Sequence, residues 1–168
     1  MKLDSEMQAR LNFLLRVVER ERTHLSRTDQ RLFAKPFTVN LAQSLNDNEP
    51  LAERVEAFVS RFGRLQDTLG DKLLPLLLSC LGEPTGPAID NLDRAERLGL
   101  VPSVDELLSM RRLRNQMVRE YVEDPNVLTD ALTTAHEFVP VLTNVAHKLH
   151  QEALNRGWAA TGPTSQAP

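Results

Sequence analysis

Cysteine is nearly absent: Cys80 is the only one in 168 residues. A single thiol excludes an intrachain disulfide and any cysteine-cluster metal site. It stands in the apolar stretch Leu76-Leu77-Leu78-Ser79-Cys80-Leu81 and reads as a small buried hydrophobe rather than a nucleophile. Long apolar runs are missing too. The longest, Leu73 to Leu81, is broken by Pro75 and Ser79 and falls far short of the roughly 20 residues that span a bilayer. The first residues, Met1-Lys2-Leu3-Asp4-Ser5-Glu6, are polar and hold no apolar signal-peptide core. A cytoplasmic, soluble protein is the expectation. There is no basic excess, since 20 Lys and Arg stand against 23 Asp and Glu for a formal charge of −3, so the chain as a whole is not a basic nucleic-acid binder. Aromatics are only 5%, which leans away from a β-sandwich. Phosphate loops, dinucleotide fingerprints, His-Glu-x-x-His and Cys-x-x-Cys are all absent.

What remains is rich in Leu, Arg, Glu and Ala, with 41% hydrophobic residues, enough for one self-sufficient core. Met7, Leu11, Leu14, Val18 and Leu25 recur at helical steps over Asp4 to Thr28, interrupted by Glu21. Residues 29–50 lose the period and read as a long connection with a short helix around Asn40–Leu45. From Leu51, the positions Val55, Phe58, Phe62, Leu65, Leu69 and Leu73 form a second stripe, which Pro75 is expected to kink or end. Gly82 to Gly86 make a turn. A short helix then lies between Pro87 and Gly99. Ser103 and Glu106 have capping-box spacing and open a helix to about Glu123. Asp124-Pro125 starts the last helix, which runs to about Asn155 with Leu128, Ala131, Leu132, Ala135, Val139, Leu142, Ala146, Leu149 and Ala153 inward and a bend expected at Pro140. No segment alternates like a strand. The pattern predicts an all-α antiparallel bundle of about five helices: one domain over residues 1–156, then a disordered tail over 157–168.

His147 and His150, one turn apart, could hold a metal, but His136 is eleven residues from His147, about 16 Å along a helix, and cannot share the ion. Surface histidines are the plainer reading. The informative stretch is Arg111-Arg112-Leu113-Arg114-Asn115-Gln116-Met117-Val118-Arg119-Glu120-Tyr121, an island of positive charge in an acidic chain. On a helical wheel Leu107, Met110, Leu113, Met117, Val118, Tyr121 and Val122 form an apolar arc with Arg114 near its middle, while Arg112 and Arg119 fall outside it. An arginine on a buried face is costly unless paired. Either Arg114 meets a carboxylate from another helix, with Glu21 one candidate, or the face is a cleft or subunit seam. A guanidinium suits phosphate through its bidentate fork.

Leu98-Gly99-Leu100-Val101-Pro102-Ser103, then Leu113-Arg114-Asn115, then Glu120-Tyr121, resemble the HEPN superfamily of small helical proteins, and most of all the HepT-type partners of minimal nucleotidyltransferases. The family signature is Arg followed by a polar residue, His five positions after the Arg, and Tyr two beyond. Arg114, Asn115 and Tyr121 match; Arg119 stands where the His belongs. The segment Arg61–Leu74 resembles the second helix of that branch, and the likeness covers about residues 1–150. It implies a homodimer; the misplaced Arg114 points to a seam formed by the arginine-bearing and last helices. It further implies metal-independent RNA cleavage, with no cofactor and with the 2′-hydroxyl as internal nucleophile. The partner it implies is a nucleotidyltransferase antitoxin that adenylylates the motif tyrosine. Carried over by position, Arg114 and Arg119 occupy the catalytic places, Asn115 serves RNA and phosphate, and Tyr121 is the adenylylation site; Arg111 and Arg112 of the same island are expected to join in binding RNA and phosphate. Arginine stays protonated across the physiological range and is a poor general base. The resemblance therefore implies a toxin-type RNA-binding scaffold whose cleavage is weak or lost. The protein is then a naturally degenerate member, one that cuts with Arg119 as electrostatic catalyst, or one carrying a detoxifying substitution. A second reading is a non-catalytic partner that presents substrate or nucleotide to a nucleotidyltransferase. A third keeps Arg114 as a core ion pair and the other arginines as a solvated face.

Overall fold

The computed structural model describes residues 2–160; the side chains of residues 120–122 lie outside that description. Every regular element among the described residues is helical: α1 Ser5–Leu32, α2 Val39–Gln43, α3 Glu49–Asp67, a π-helical turn Thr68–Leu73, α4 Leu74–Cys80, α5 Ala88–Arg97, α6 Val104–Glu123 and α7 Pro125–Asn155. Because α3, the π turn and α4 follow one another without a break, the bundle has five substantial rods and the short α2, as the periodicity predicts.

Asp4 caps α1 by accepting the Met7 amide at 2.9 Å. The helix runs past the expected stop at Thr28 because the stripe continues through Thr28 to Leu32, both buried. Thr28 tolerates burial since its hydroxyl bonds the His24 carbonyl at 3.1 Å and accepts from Arg61. The expected long connection therefore shrinks to two short links around α2, with Asn48 capping α3 and Pro50 in its first turn.

Pro75 neither ends nor interrupts the second rod. Within a regular α-helix its ring would clash with the carbonyl four residues back. Here the chain widens into the π turn just before it, and the Leu74 amide reaches back five residues to the Leu69 carbonyl. At the end of α5, Gly99 adopts φ +73° and the Leu100 amide bonds the Ala95 carbonyl at 2.8 Å, a left-handed helix stop. Half of the expected capping box forms at α6, where Ser103 Oγ accepts the Glu106 amide at 3.3 Å. The amide of Val104, the first residue of the helix, is accepted by Glu96 of α5 at 3.1 Å. Asp124 caps α7 as expected, accepting from Asn126 and Val127, and Pro140 sits inside that helix without ending it.

All nine inward positions expected of α7 are buried, as are the six of the Leu51–Leu73 stripe. α3 packs on α1 and α6, and α7 covers α1 and α6. Phe58, Phe62, Leu65, Met110, Met117 and Leu128 sit in the centre, fully enclosed. Cys80 is buried and its thiol is pushed up, chiefly by burial. No described helix is long and apolar enough to cross a membrane.

Residues 157–160, which the sequence pattern assigns to the tail, are held against the bundle. Trp158 is 5% exposed, and its carbonyl accepts from the side-chain amides of Gln8 at 3.2 Å and Asn12 at 2.9 Å. Asn12 Oδ1 in turn accepts the Ala160 amide at 2.9 Å. A large indole has apolar area to bury, and the side-chain amides of Gln8 and Asn12 on α1 tie down the backbone that carries it. Residues 161–168 lie outside the described part.

Candidate functional site: an arginine-lined cleft between α3 and α6

A helix places residues three, four and seven apart on one stripe. On α6 this splits the arginine island in two. Arg111, Arg114 and Val118 face α3 and the π turn. Arg112, Asn115 and Arg119 lie on an outer, exposed stripe. Arg112 donates to Ser109 Oγ at 3.3 Å there. Arg114 and Arg119 are five residues apart, about 140° around the helix, so the two do not converge within one chain. Tyr121 lies outside the described side chains.

Arg114 is not in the core. Its side chain is 37% exposed and lines an open cleft of about 390 Å³ with Ser60, Gly63, Arg64, Met117 and Val118. Its stem follows α3 while its head reaches outward, as long cationic side chains do. Gly63 makes this path possible: a Cβ there would lie 2.8 Å from Arg114 Nε and 3.3 Å from its Cγ. Val118, 60% exposed, forms the apolar lip.

The carboxylate that meets Arg114 is Asp67, not the candidate Glu21. Arg114 Nη1 lies 3.2 Å from both Asp67 oxygens, longer than a strong charge-assisted bond. One turn away Arg111 Nη2 meets Asp71 Oδ1 at 2.7 Å. Both pairs are substantially exposed. Glu21 faces α3 from the α1 side and accepts from Thr68 Oγ1 at 3.0 Å, while its Oε2 has no hydrogen-bond partner. Burial raises the Glu21 pKa; the Thr68 bond and the charges of Lys72 and Arg64 act against that, and Asp67 adds to it.

The histidines do other things. His136 Nδ1 meets Asp29 Oδ1 at 2.6 Å and its ring stacks on Phe33 at 4.2 Å. His147 is exposed and His150 half-buried on α7. Among the described residues no group of three or more His, Cys, Asp or Glu is placed to hold a metal ion.

Chemically the cleft offers two guanidinium groups, Arg64 and Arg114, beside the Ser60 hydroxyl and an apolar lip, with Glu56 at its edge. Such a set can hold a phosphate and pack a base or sugar. Ser60, Gly63, Arg64, Asp67 and Asp71 escape a reading of the island alone, because they come from the second stripe. Gly63 is the signal that points to them, since a glycine inside an otherwise strong helix has a packing or functional reason. Comparison with protein-family models, curated proteins and solved structures finds no match.

Proposed function

We propose that this chain is a HEPN-type RNA-binding protein, the toxin-type component of a two-gene module, which holds the phosphodiester backbone at the α3–α6 cleft and cleaves it weakly or not at all. The observation that carries this reading is the seat of Arg114. An arginine kept only to satisfy a core would be enclosed with its partner; this one is 37% exposed in an open cleft beside Arg64.

On this reading a backbone phosphate sits between Arg114 and Arg64, and Val118 packs the adjoining sugar or base. Two copies bring their α6 outer stripes, with Arg119, toward the same strand. Cleavage requires the 2′-hydroxyl to lose its proton as it attacks phosphorus and the 5′-oxygen leaving group to gain one. Arg119 can stabilise the crowded negative charge of that transition state but cannot accept the proton. The partner implied is a minimal nucleotidyltransferase acting on Tyr121.

Arg119→His supplies a group that titrates near neutral pH. With EDTA present to exclude metal catalysis, it should raise RNA cleavage about 10²-fold or more and leave 2′,3′-cyclic phosphate ends. A folded variant that binds RNA and still does not cut overturns the reading of Arg119 as the lesion in a ribonuclease site.

A further inference from the structure

Asp67 and Asp71 raise a question that the cleft alone does not answer. A surface meant for a polyanion gains nothing from carboxylates laid on its own arginines. Yet α3 and the π turn present two of them, four residues apart, to Arg114 and Arg111, three residues apart on α6. The result is a two-rung ladder, carboxylate to guanidinium, along the seam between the helices. Helical neighbours at these separations have Cβ atoms about 5–6 Å apart, a spacing comparable to consecutive phosphates of a single strand.

We propose that Asp67 and Asp71 are a built-in competitor for the RNA backbone: they occupy Arg114 and Arg111 in the unliganded protein and release them, rung by rung, to successive phosphates. The inference rests on the RNA reading above and adds a regulation of that site.

Three features make the exchange feasible. The Arg114 rung is long, at 3.2 Å, and 37% and 38% exposed on its two sides. Water can solvate Asp67 as it is released, so the rung opens at little cost; half-exposed pairs amount to no more than about fivefold in an equilibrium. The absence of a side chain at Gly63 leaves the Arg114 stem a track along which to move, since even one methyl group would stand 2.8 Å from its Nε. A backbone phosphodiester carries one negative charge, as the carboxylate does, but it can take both prongs of the fork where the Asp67 contact runs through Nη1, and a strand brings several such charges at once. The Arg111 rung, at 2.7 Å, is the tighter of the two and opens second. Such a ladder would also discourage lone anions, because one phosphate displaces one rung and only a backbone displaces both.

The test is fluorescence anisotropy with a fluorescein-labelled oligouridylate at low salt, using the full chain. Asp67→Asn and Asp71→Asn should each tighten binding about two- to fivefold. Asp47→Asn, an exposed position in the link before α3, removes the same charge elsewhere and should stay within about twofold of the unaltered protein. The gain from Asp67→Asn should vanish when Arg114→Ala is added. Asn variants that bind no tighter than Asp47→Asn, while the unaltered protein binds, overturn the competitor and leave the RNA reading standing. Weaker binding by them also overturns it, and makes the carboxylates positioning residues. No binding by any variant removes both proposals together.

Discussion

Truncating Arg114 to alanine separates a cleft from a core. In the structure its ion pair with Asp67 is 37% and 38% exposed. Exposed pairs contribute about 0.2–1 kcal/mol. Loss of the stem packed along Gly63 removes roughly another 1 kcal/mol of apolar contact. The regained rotamer freedom of a long side chain offsets much of that. Asp67 is left hydrated, so no orphaned buried charge adds a penalty. The expected net loss is about 1 kcal/mol or less, or roughly 2–4 °C in Tm for a domain of this size. A pair enclosed in the core would instead lose about 3–5 kcal/mol when one partner is removed. Urea denaturation followed by circular dichroism at 222 nm distinguishes the two. A loss of 3 kcal/mol or more would refute the placement of Arg114 in an open cleft and make it a structural arginine.

Two further outcomes follow from the packing. Glu21 has a raised pKa because burial disfavours its charge, so the folded state binds its proton more readily than the unfolded one does. Its cost to stability is absent below the unfolded value and grows as pH rises through the folded one. Glu21→Gln keeps an acceptor for Thr68 Oγ1, so it should be at least as stable as the unaltered protein at pH 7. That advantage should fade as pH falls toward 4.5, and denaturation midpoints across this range check it. Trp158→Ala removes a side chain that is 5% exposed and should cost about 3–5 kcal/mol; a loss under 1 kcal/mol would return residues 157–160 to a dispensable tail.

Much of the bundle was legible because its stripes are long and its stops are chemical. The nine inward positions of α7 and the six from Val55 to Leu73 follow from the helical period alone, while Gly99 ends α5 through its backbone conformation and Asp124 starts α7 by capping. Legibility fails where the tertiary partner decides. Thr28 looks like a stop until the His24 carbonyl and Arg61 give its hydroxyl company. Pro75 looks like a break until the turn before it widens. Trp158 lies beyond the last periodic residue, and only the surface of α1 reveals that it is core. The same limit governs the site. The wheel places Arg114 on the inward arc but cannot tell which helix it meets, so Glu21 was as good a partner as Asp67. The gap at Gly63, which carries Arg114 outward, is visible only when both helices are in place.

On the proposed reading, the α3–α6 cleft holds a phosphodiester backbone through Arg114. Anisotropy titrations of a labelled single-stranded RNA, with the unaltered protein and with Arg114→Ala at two salt concentrations, measure this contact. Binding should weaken as salt rises and fall about tenfold or more in the variant, whose fold is intact by circular dichroism. Equal binding by both proteins, or none by the unaltered one at low salt, would contradict that reading.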